Sequence, residues 1–171
     1  MANNNNPHGL QPLGTGLSGG PLILEAYNAL AAYATAIFRY DAVNRVSGGG
    51  LQAGGVPGTV LYSGVSMEYG AASVLTTHNV IISPDALYEC QAVTALTAAQ
   101  MGLNANLILN AGSITTKLSG HCIDDSTAAI TGTLDLHLLK AYATLDNAYG
   151  AFARVEVVFN KSRLAALTAG V

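Results

Sequence analysis

The chain has 171 residues, 50% of them hydrophobic and only 10% charged, with seven basic and ten acidic side chains and a net charge of −3. That length fits one domain with extensions and buries a core without a metal or disulfide staple. The basic residues are scattered, which argues against the clustered Lys and Arg of a nucleic-acid binder, and no run reaches the ~20 apolar residues of a membrane-spanning helix, although mean hydropathy is +0.36. The start lacks the basic, apolar and cleavage-site order of a secretory leader, so export is not expected. A charged fraction far below the roughly 25% of ordinary domains implies a surface covered by Asn, Ser, Thr and Gly, or buried against other subunits.

In chain order, residues 1–22 stand apart. Asn3, Asn4, Asn5 and Asn6 are followed by Pro7, Gly9, Pro12, Gly14, Gly16, Gly19, Gly20 and Pro21. Such a segment has little of its own to bury against the entropy of ordering, and it reads as an extended N-terminal arm. It is either a disordered tail or an arm that becomes ordered on a partner, with Leu10, Leu13 and Leu17 as sparse apolar anchors. The body is expected over 23–163. The tail, 164–171, is uncharged and either docks or frays.

The body opens on 25–36, Ala-rich and helical by propensity but without a 3.6-residue apolar stripe; it stays unassigned. From there the dominant period is two. Strands are expected at 36–46, 59–67, 78–83, 87–92, 106–110, 120–124, 133–138 and 153–159. The clearest are 133–138, where three leucines alternate with polar residues, and 153–159, where Val155, Val157 and Phe159 share one face and Arg154 and Glu156 the other. Gly48, Gly49 and Gly50, then Gly54 and Gly55, Pro84 with Asp85, and Asp146 with Asn147 are the turn signals between them. One helical turn is expected where Thr97 and Gln100 form a capping-box pattern ahead of Gly102. Many short strands between such turns make the chain all-β, an antiparallel β-barrel or jelly-roll-like sandwich.

Motifs that carry chemistry are missing. There is no nucleophile elbow, phosphate loop, HExxH pair or dinucleotide fingerprint. Gly48 to Gly55 lacks the Lys-Ser/Thr ending of a phosphate loop and reads as a β connection. Asp124 and Asp125, followed by Ser126 and Thr127, offer clustered oxygens of the kind calcium takes, but a turn capping its own backbone explains the same residues. The four histidines share no metal-ligand spacing. His121 and Cys122, adjacent in an expected strand, point to opposite faces and make no dyad. Glu68, Glu89 and Glu156 are the paired-carboxylate candidates, with nothing in the sequence to bring two together. Cys90 and Cys122 lie far apart and read as buried, reduced thiols. No catalytic residue, cofactor or metal site is therefore assigned, and the chain is expected not to be an enzyme.

Several strings resemble the small capsid cement (decoration) proteins of tailed bacteriophages. The start is similar to their Asn-rich, Asn-Pro-Phe/His-Gly-Leu-x-Pro arm, here Asn6-Pro7-His8-Gly9-Leu10-Gln11-Pro12. Thr35-Ala36-Ile37-Phe38-Arg39-Tyr40-Asp41-Ala42-Val43 resembles their Thr-Ala-Ile-Phe-x-Gly-Asp-x-Val, with Tyr40 where relatives often carry Gly. Ser83-Pro84-Asp85-Ala86-Leu87-Tyr88-Glu89-Cys90-Gln91 looks like their Asp-Pro-Asp-x-x-Phe/Tyr-Glu-x-Gln strand. Gly102-Leu103-Asn104-Ala105-Asn106-Leu107, Leu118-Ser119-Gly120, Asp124-Asp125-Ser126-Thr127-Ala128-Ala129 and Asp146-Asn147-Ala148-Tyr149-Gly150 follow in the family's order. The Gly-rich 47–58 insert departs from it.

The resemblance implies a structural virion protein, made in the bacterial host cytoplasm and carried on the outer capsid surface. Its partners would be the major capsid protein and copies of itself, as dimers or trimers at capsid symmetry axes, with no nucleic acid and no membrane. Asn3, Asn4, Asn5, Asn6, Pro7, Leu10, Leu13 and Leu17 are the expected capsid contacts. A tail or head-fibre protein is the alternative within the virion, though repeats or heptads are missing. A β-barrel ligand-binding protein or hydrolase would need polar groups converging in a pocket.

Overall fold

The computed structural model describes residues 3–16 and 19–162. The described chain is nearly all β: β1 (Gln11–Thr15), β2 (Leu24–Ala29), β3 (Ala42–Arg45), β4 (Leu51–Ala53), β5 (Gly64–Ser66), β6 (Thr76–Ile81), β7 (Ala86–Gln91), β8 (Ala95–Leu96), β9 (Asn104–Ile108), β10 (Cys122–Ala129), β11 (Leu136–Ala141), β12 (Gly150–Ala151) and β13 (Arg154–Phe159). A single 3₁₀ turn, Ala98–Gln100, carries the expected capping box, with the Thr97 N–H donating to Gln100 Oε1 at 2.7 Å.

The strands form two assemblies. β2, β4, β3, β5 and β6 close into a five-stranded barrel, while β1, β7, β13, β11, β9 and β10 make an open sheet in that order, with β12 and β8 as a minor ribbon. The barrel expected from the sequence is present, but it takes only the N-terminal strands. The later strands, with β1 at one edge, form the open sheet, and several of them carry one apolar face. In β13, Val155 and Val157 are buried and Arg154 and Glu156 are not; in β9, Ala105 and Leu107 are buried between half-exposed neighbours.

One core joins the two assemblies. Ala42, Val65 and Ile81 of the barrel pack with Tyr88, Cys90, Leu107, Ile123, Leu136, Leu138 and Val155 of the sheet. Tyr62 stacks on Phe159 at 5.2 Å between ring centroids, and Tyr88 meets Phe159 edge-on at 5.5 Å. Aromatic pairs in these geometries add about 0.5–1.5 kcal/mol beyond the area they bury. A second, smaller cluster of Ala29, Ile37, Val43, Leu51 and Val80 fills the barrel.

The structure resolves what the sequence left open and changes other expectations. In the unassigned 25–36 segment no helix forms: β2 takes Leu24–Ala29, pairing residue for residue with β6 from Leu24↔Ile81 to Ala29↔Thr76. A continuous ladder outweighs a per-residue helix preference of a few tenths of a kcal/mol. The strand expected over 59–67 shrinks to Gly64–Ser66, because the Thr59 N–H closes a turn onto the Val56 carbonyl and the Gly58 N–H is held by Asp135. At Gly64, φ is +155° and an added Cβ would sit 1.9 Å from the Ile81 carbonyl oxygen, so that β5–β6 approach requires glycine.

The largest correction concerns the arm. Within residues 3–16 it is not a free extension waiting for a partner. β1 pairs antiparallel with β7 from Gln11↔Glu89 to Thr15↔Ala86, with an irregularity between Pro12 and Gly14. Leu10 is fully buried in the main core, and its N–H donates to the Tyr40 carbonyl at 3.0 Å. Leu10 is therefore an anchor on the chain's own body, with no surface left exposed on the described chain. Leu17 and the tail 164–171 lie outside the described residues. Replacing Leu10 by Ala should cost about 2–5 kcal/mol, the range for a buried leucine truncation, read as a lowered urea midpoint. A midpoint within error of the parent would contradict the docked arm.

Candidate functional site

The arm crosses the outer face of the open sheet and builds a polar cluster there. Register places Glu89 of β7 opposite both Gln11 of β1 and Glu156 of β13, so two of the three candidate carboxylates do come together, on neighbouring strands. Glu89 is 4% exposed. His8 Nε2 stands 3.3 Å from its Oε1, Arg154 Nε is 3.8 Å away, and Lys140 Nζ lies 3.3 Å from Glu156 Oε1. The carboxylates tolerate each other because each has its own cation. Arg154 also donates through Nη2 to Asp146 at 2.6 Å and to Thr144 at 2.7 Å.

Gln91 ties the arm down. Its Oε1 accepts from the Asn6 N–H at 3.1 Å, and its Nε2 donates to the carbonyls of Asn4 at 2.7 Å and Phe152 at 3.3 Å. Asn3 closes the far end: Nδ2 donates to the carbonyls of Ala148 and Ala151, and Oδ1 accepts from the Ala148 N–H. Asn4, Asn5 and Asn6 are exposed, Pro7 is half-buried and Leu13 is exposed at 37%. Of the expected contact residues, Asn4, Asn5, Asn6 and Leu13 thus remain on the surface, whereas Asn3 and Leu10 serve the fold. His8, Glu89, Gln91 and Arg154 had no signal in the sequence as a group, since only the β1–β7–β13 register unites them.

His8 Nδ1 faces the Asn6 carbonyl at 3.1 Å while Nε2 faces Glu89. Both nitrogens meet acceptors, which favours the imidazolium, and the hydrogen bond to Glu89 raises the His8 pKa above its ordinary value.

A second buried network holds the turn on which the arm lands. Asp41 Oδ2 accepts the Phe38 N–H at 2.8 Å, and its Oδ1 lies 3.3 Å from His121 Nε2. The Ala42 N–H donates to His121 Nδ1 at 3.2 Å, so Nε2 carries the hydrogen and points at Asp41. Burial pushes Asp41 up to about 6 and His121 down to about 4. This is an Asp–His pair, yet both ring nitrogens are committed and the imidazole has no lone pair for a substrate. Ser66 and His78, 2.8 Å apart in the barrel, are a Ser–His pair that is wholly buried. Gly70 lies close against the ring, where an added Cβ would meet His78 Nε2 at 2.5 Å.

The remaining candidates are structural. Asp125 is buried and accepts from the N–H and hydroxyl of Thr94, while Asp124 accepts from the Ser126 hydroxyl. Cys90 and Cys122 are buried free thiols. Among the described residues no three His, Cys, Asp or Glu side chains gather as a metal site, and no helix is long and apolar enough to cross a membrane.

What the surface does offer is apolar side chains in connections. Val56 and Leu61 lie between β4 and β5, Val74 and Leu75 between β5 and β6, and Ile114, Ile130 and Leu145 in the three connections that follow β9, β10 and β11. All are exposed, Ile130 at 90%. No protein-family model, curated protein or solved structure matches the chain.

Two titrations follow. His121, shifted down, contributes stability that is complete above 6.5 and lost as pH falls toward 4; Asp41, shifted up, gives the opposite dependence between 6 and 3.8. The two cancel while both are present. Asp41→Asn should therefore lose stability with falling pH at roughly 1 kcal/mol per pH unit below about pH 6 relative to the parent, measured by urea midpoints; parallel pH profiles would refute the upward shift that burial gives Asp41. His8, shifted up, contributes stability below 6.5 that is lost as pH rises through its folded value. His8→Gln should lower the thermal midpoint more at about pH 6 than at about pH 8.5, and an equal loss at both would rule out the imidazolium latch.

Proposed function

We propose that the protein is a structural virion component that binds the outer surface of a phage capsid and cements the assembled shell. The observation that carries this reading is the distribution of charge. Four of the ten carboxylates, Asp41, Glu89, Asp125 and Asp135, are buried, so a chain already poor in charge presents even fewer charges to its surroundings. Large aliphatic side chains stand exposed in several separate connections instead. Solubility as a free monomer favours the reverse arrangement. Dispersed apolar contacts with little charge to desolvate suit a protein that lies against other subunits.

Cementing acts by mass action: a ligand that binds only the assembled shell stabilises it against opening. Contact at several small points, repeated around a symmetry axis in dimers or trimers, adds through effective concentration. No deep cleft is needed. The resemblance of the sequence to phage cement proteins agrees with this reading, and the exposed Asn4, Asn5, Asn6 and Leu13 remain available for the shell.

The test is co-sedimentation of the purified protein with expanded, cement-depleted capsids of its own phage, with stoichiometry read by gel densitometry. Saturable occupancy at a fixed simple ratio to the capsid subunit is expected. Ile114→Asp, Ile130→Asp and Leu145→Asp, all on the surface, should together lower occupancy with the thermal midpoint of the free protein unchanged. No saturable binding to competent shells would overturn the proposal.

A further inference from the structure

The arm does more than close the sheet: it walls a small polar cavity. The cavity has a volume of about 150 Å³ and is lined by Asn3, Asn4, Asn6, His8, Gln91, Asp146, Phe152 and Arg154. A cavity of that volume is of the size that takes benzene, well below the ~300 Å³ at which drug-sized sites begin, so a ring bearing hydroxyls seats one edge in it and leaves the rest outside.

Its walls are pinned by the bonds already described. Gln91 spends its whole amide on the main chain of Asn4, Asn6 and Phe152, and Asn3 spends its own on Ala148 and Ala151. Asn4 and Asn6, by contrast, line the cavity as exposed residues and are held through main-chain atoms, so their side-chain amides are not engaged by these bonds. Arg154 is fixed by Asp146 and Thr144 through one nitrogen, Nη2, and the exposed Asp146 carboxylate has further lone pairs. The charges cancel in pairs, Arg154 with Asp146 and His8 with Glu89, so no net field selects an ion.

Phe152 supplies the apolar side. Its φ is +59°, a left-handed conformation that is a true outlier for a bulky side chain and costs of order 1–3 kcal/mol where it occurs. Glycine would hold the same backbone without strain. The chain keeps an aromatic ring at that position, on the edge of a cavity otherwise walled by amides, a guanidinium and a carboxylate. Amide donors and acceptors beside one aromatic residue in the lining match a neutral ring that carries hydroxyl groups on its rim and C–H groups on its faces.

We propose that this cavity binds a single pyranose ring of a neutral sugar. The site stands on the isolated chain and does not rest on capsid binding. Asn4, Asn6 and Asp146 hydrogen-bond the ring hydroxyls, Arg154 donates to a hydroxyl or the ring oxygen, and Phe152 stacks beneath the C–H face. For a virion-surface protein such a site would touch glycans outside the particle.

The experiment is a chemical-shift titration of the full-length ¹⁵N-labelled protein with the methyl pyranosides of glucose, galactose, mannose and N-acetylglucosamine. At least one should shift the amides of Asn4, Asn6, Asp146 and Phe152 saturably. Asn4→Ala with Asn6→Ala should weaken that sugar about tenfold or more, the loss of one to two hydrogen bonds, with the thermal midpoint unchanged. Phe152→Gly should weaken it as well while holding or raising the thermal midpoint, because glycine relieves the strained φ. No saturable shift with any of the four sugars into the high millimolar range would overturn the proposal, and so would saturable shifts confined to residues away from the cavity or left intact by the Asn4/Asn6 double variant.

Discussion

The fold depends on a buried carboxylate. Asp135 has no exposed surface, and it reaches from the start of β11 to both assemblies. Its Oδ1 accepts the N–H of Gly58 in the loop after β4 of the barrel at 2.9 Å, its Oδ2 accepts the N–H of Leu107 on β9 at 3.0 Å, and its carbonyl accepts the N–H groups of Asn160 and Lys161 just past β13. Burial raises its pKa, and the two N–H donors and Lys161 oppose that rise. A charge in such a place survives only because its acceptor positions are filled. With barrel and sheet fixed against each other there, Tyr62 and Phe159 stack across the same junction and one core forms instead of two.

The rest of the buried polar chemistry follows the same economy. Asp41 and His121 set the turn at Phe38–Asp41 that receives Leu10, and Glu89 receives His8 two residues earlier in the chain. The arm is thus fastened at both sides of Gly9, whose φ of +77° and tight approach to Ser119 and the Tyr40 carbonyl leave no room for a Cβ. Four of the ten carboxylates, Asp41, Glu89, Asp125 and Asp135, are buried among the chain's own segments. Arg39, Arg45, Lys117, Lys140 and Asp146 stay on the surface beside amides, hydroxyls and loop-borne aliphatic groups.

Much of the fold was legible from local pattern. Alternation over 153–159 and 87–92 became β13 and β7, the Thr97/Gln100 box became a 3₁₀ turn, and the glycines at 48–50 became a hairpin turn in which Gly48 and Gly49 both have positive φ. These are properties of neighbouring residues, and neighbours are what a sequence displays. The segment 25–36 stayed unassigned because what decides its first half is β6, which pairs with Glu25 through Ala29 from 47 to 55 positions away. The candidate site was less legible than the fold. The Asn-rich start pointed to the right region, yet it gave no hint that Asn3 closes onto Ala148 and Ala151 or that Gln91 clamps Asn4 and Asn6.

By itself the sequence determined the all-β class, the turn positions and the shortage of charge, because period, glycine and proline placement, and composition act locally or by simple count. Tertiary structure alone decided that five strands close while six stay open, that Leu10 points into the chain's own core, and that His8, Glu89, Arg154 and Asp146 form one cluster beneath an arm. Those outcomes depend on strand register, and register is settled by contacts between residues far apart in the chain, where a shift of one position would turn every side chain to the other face.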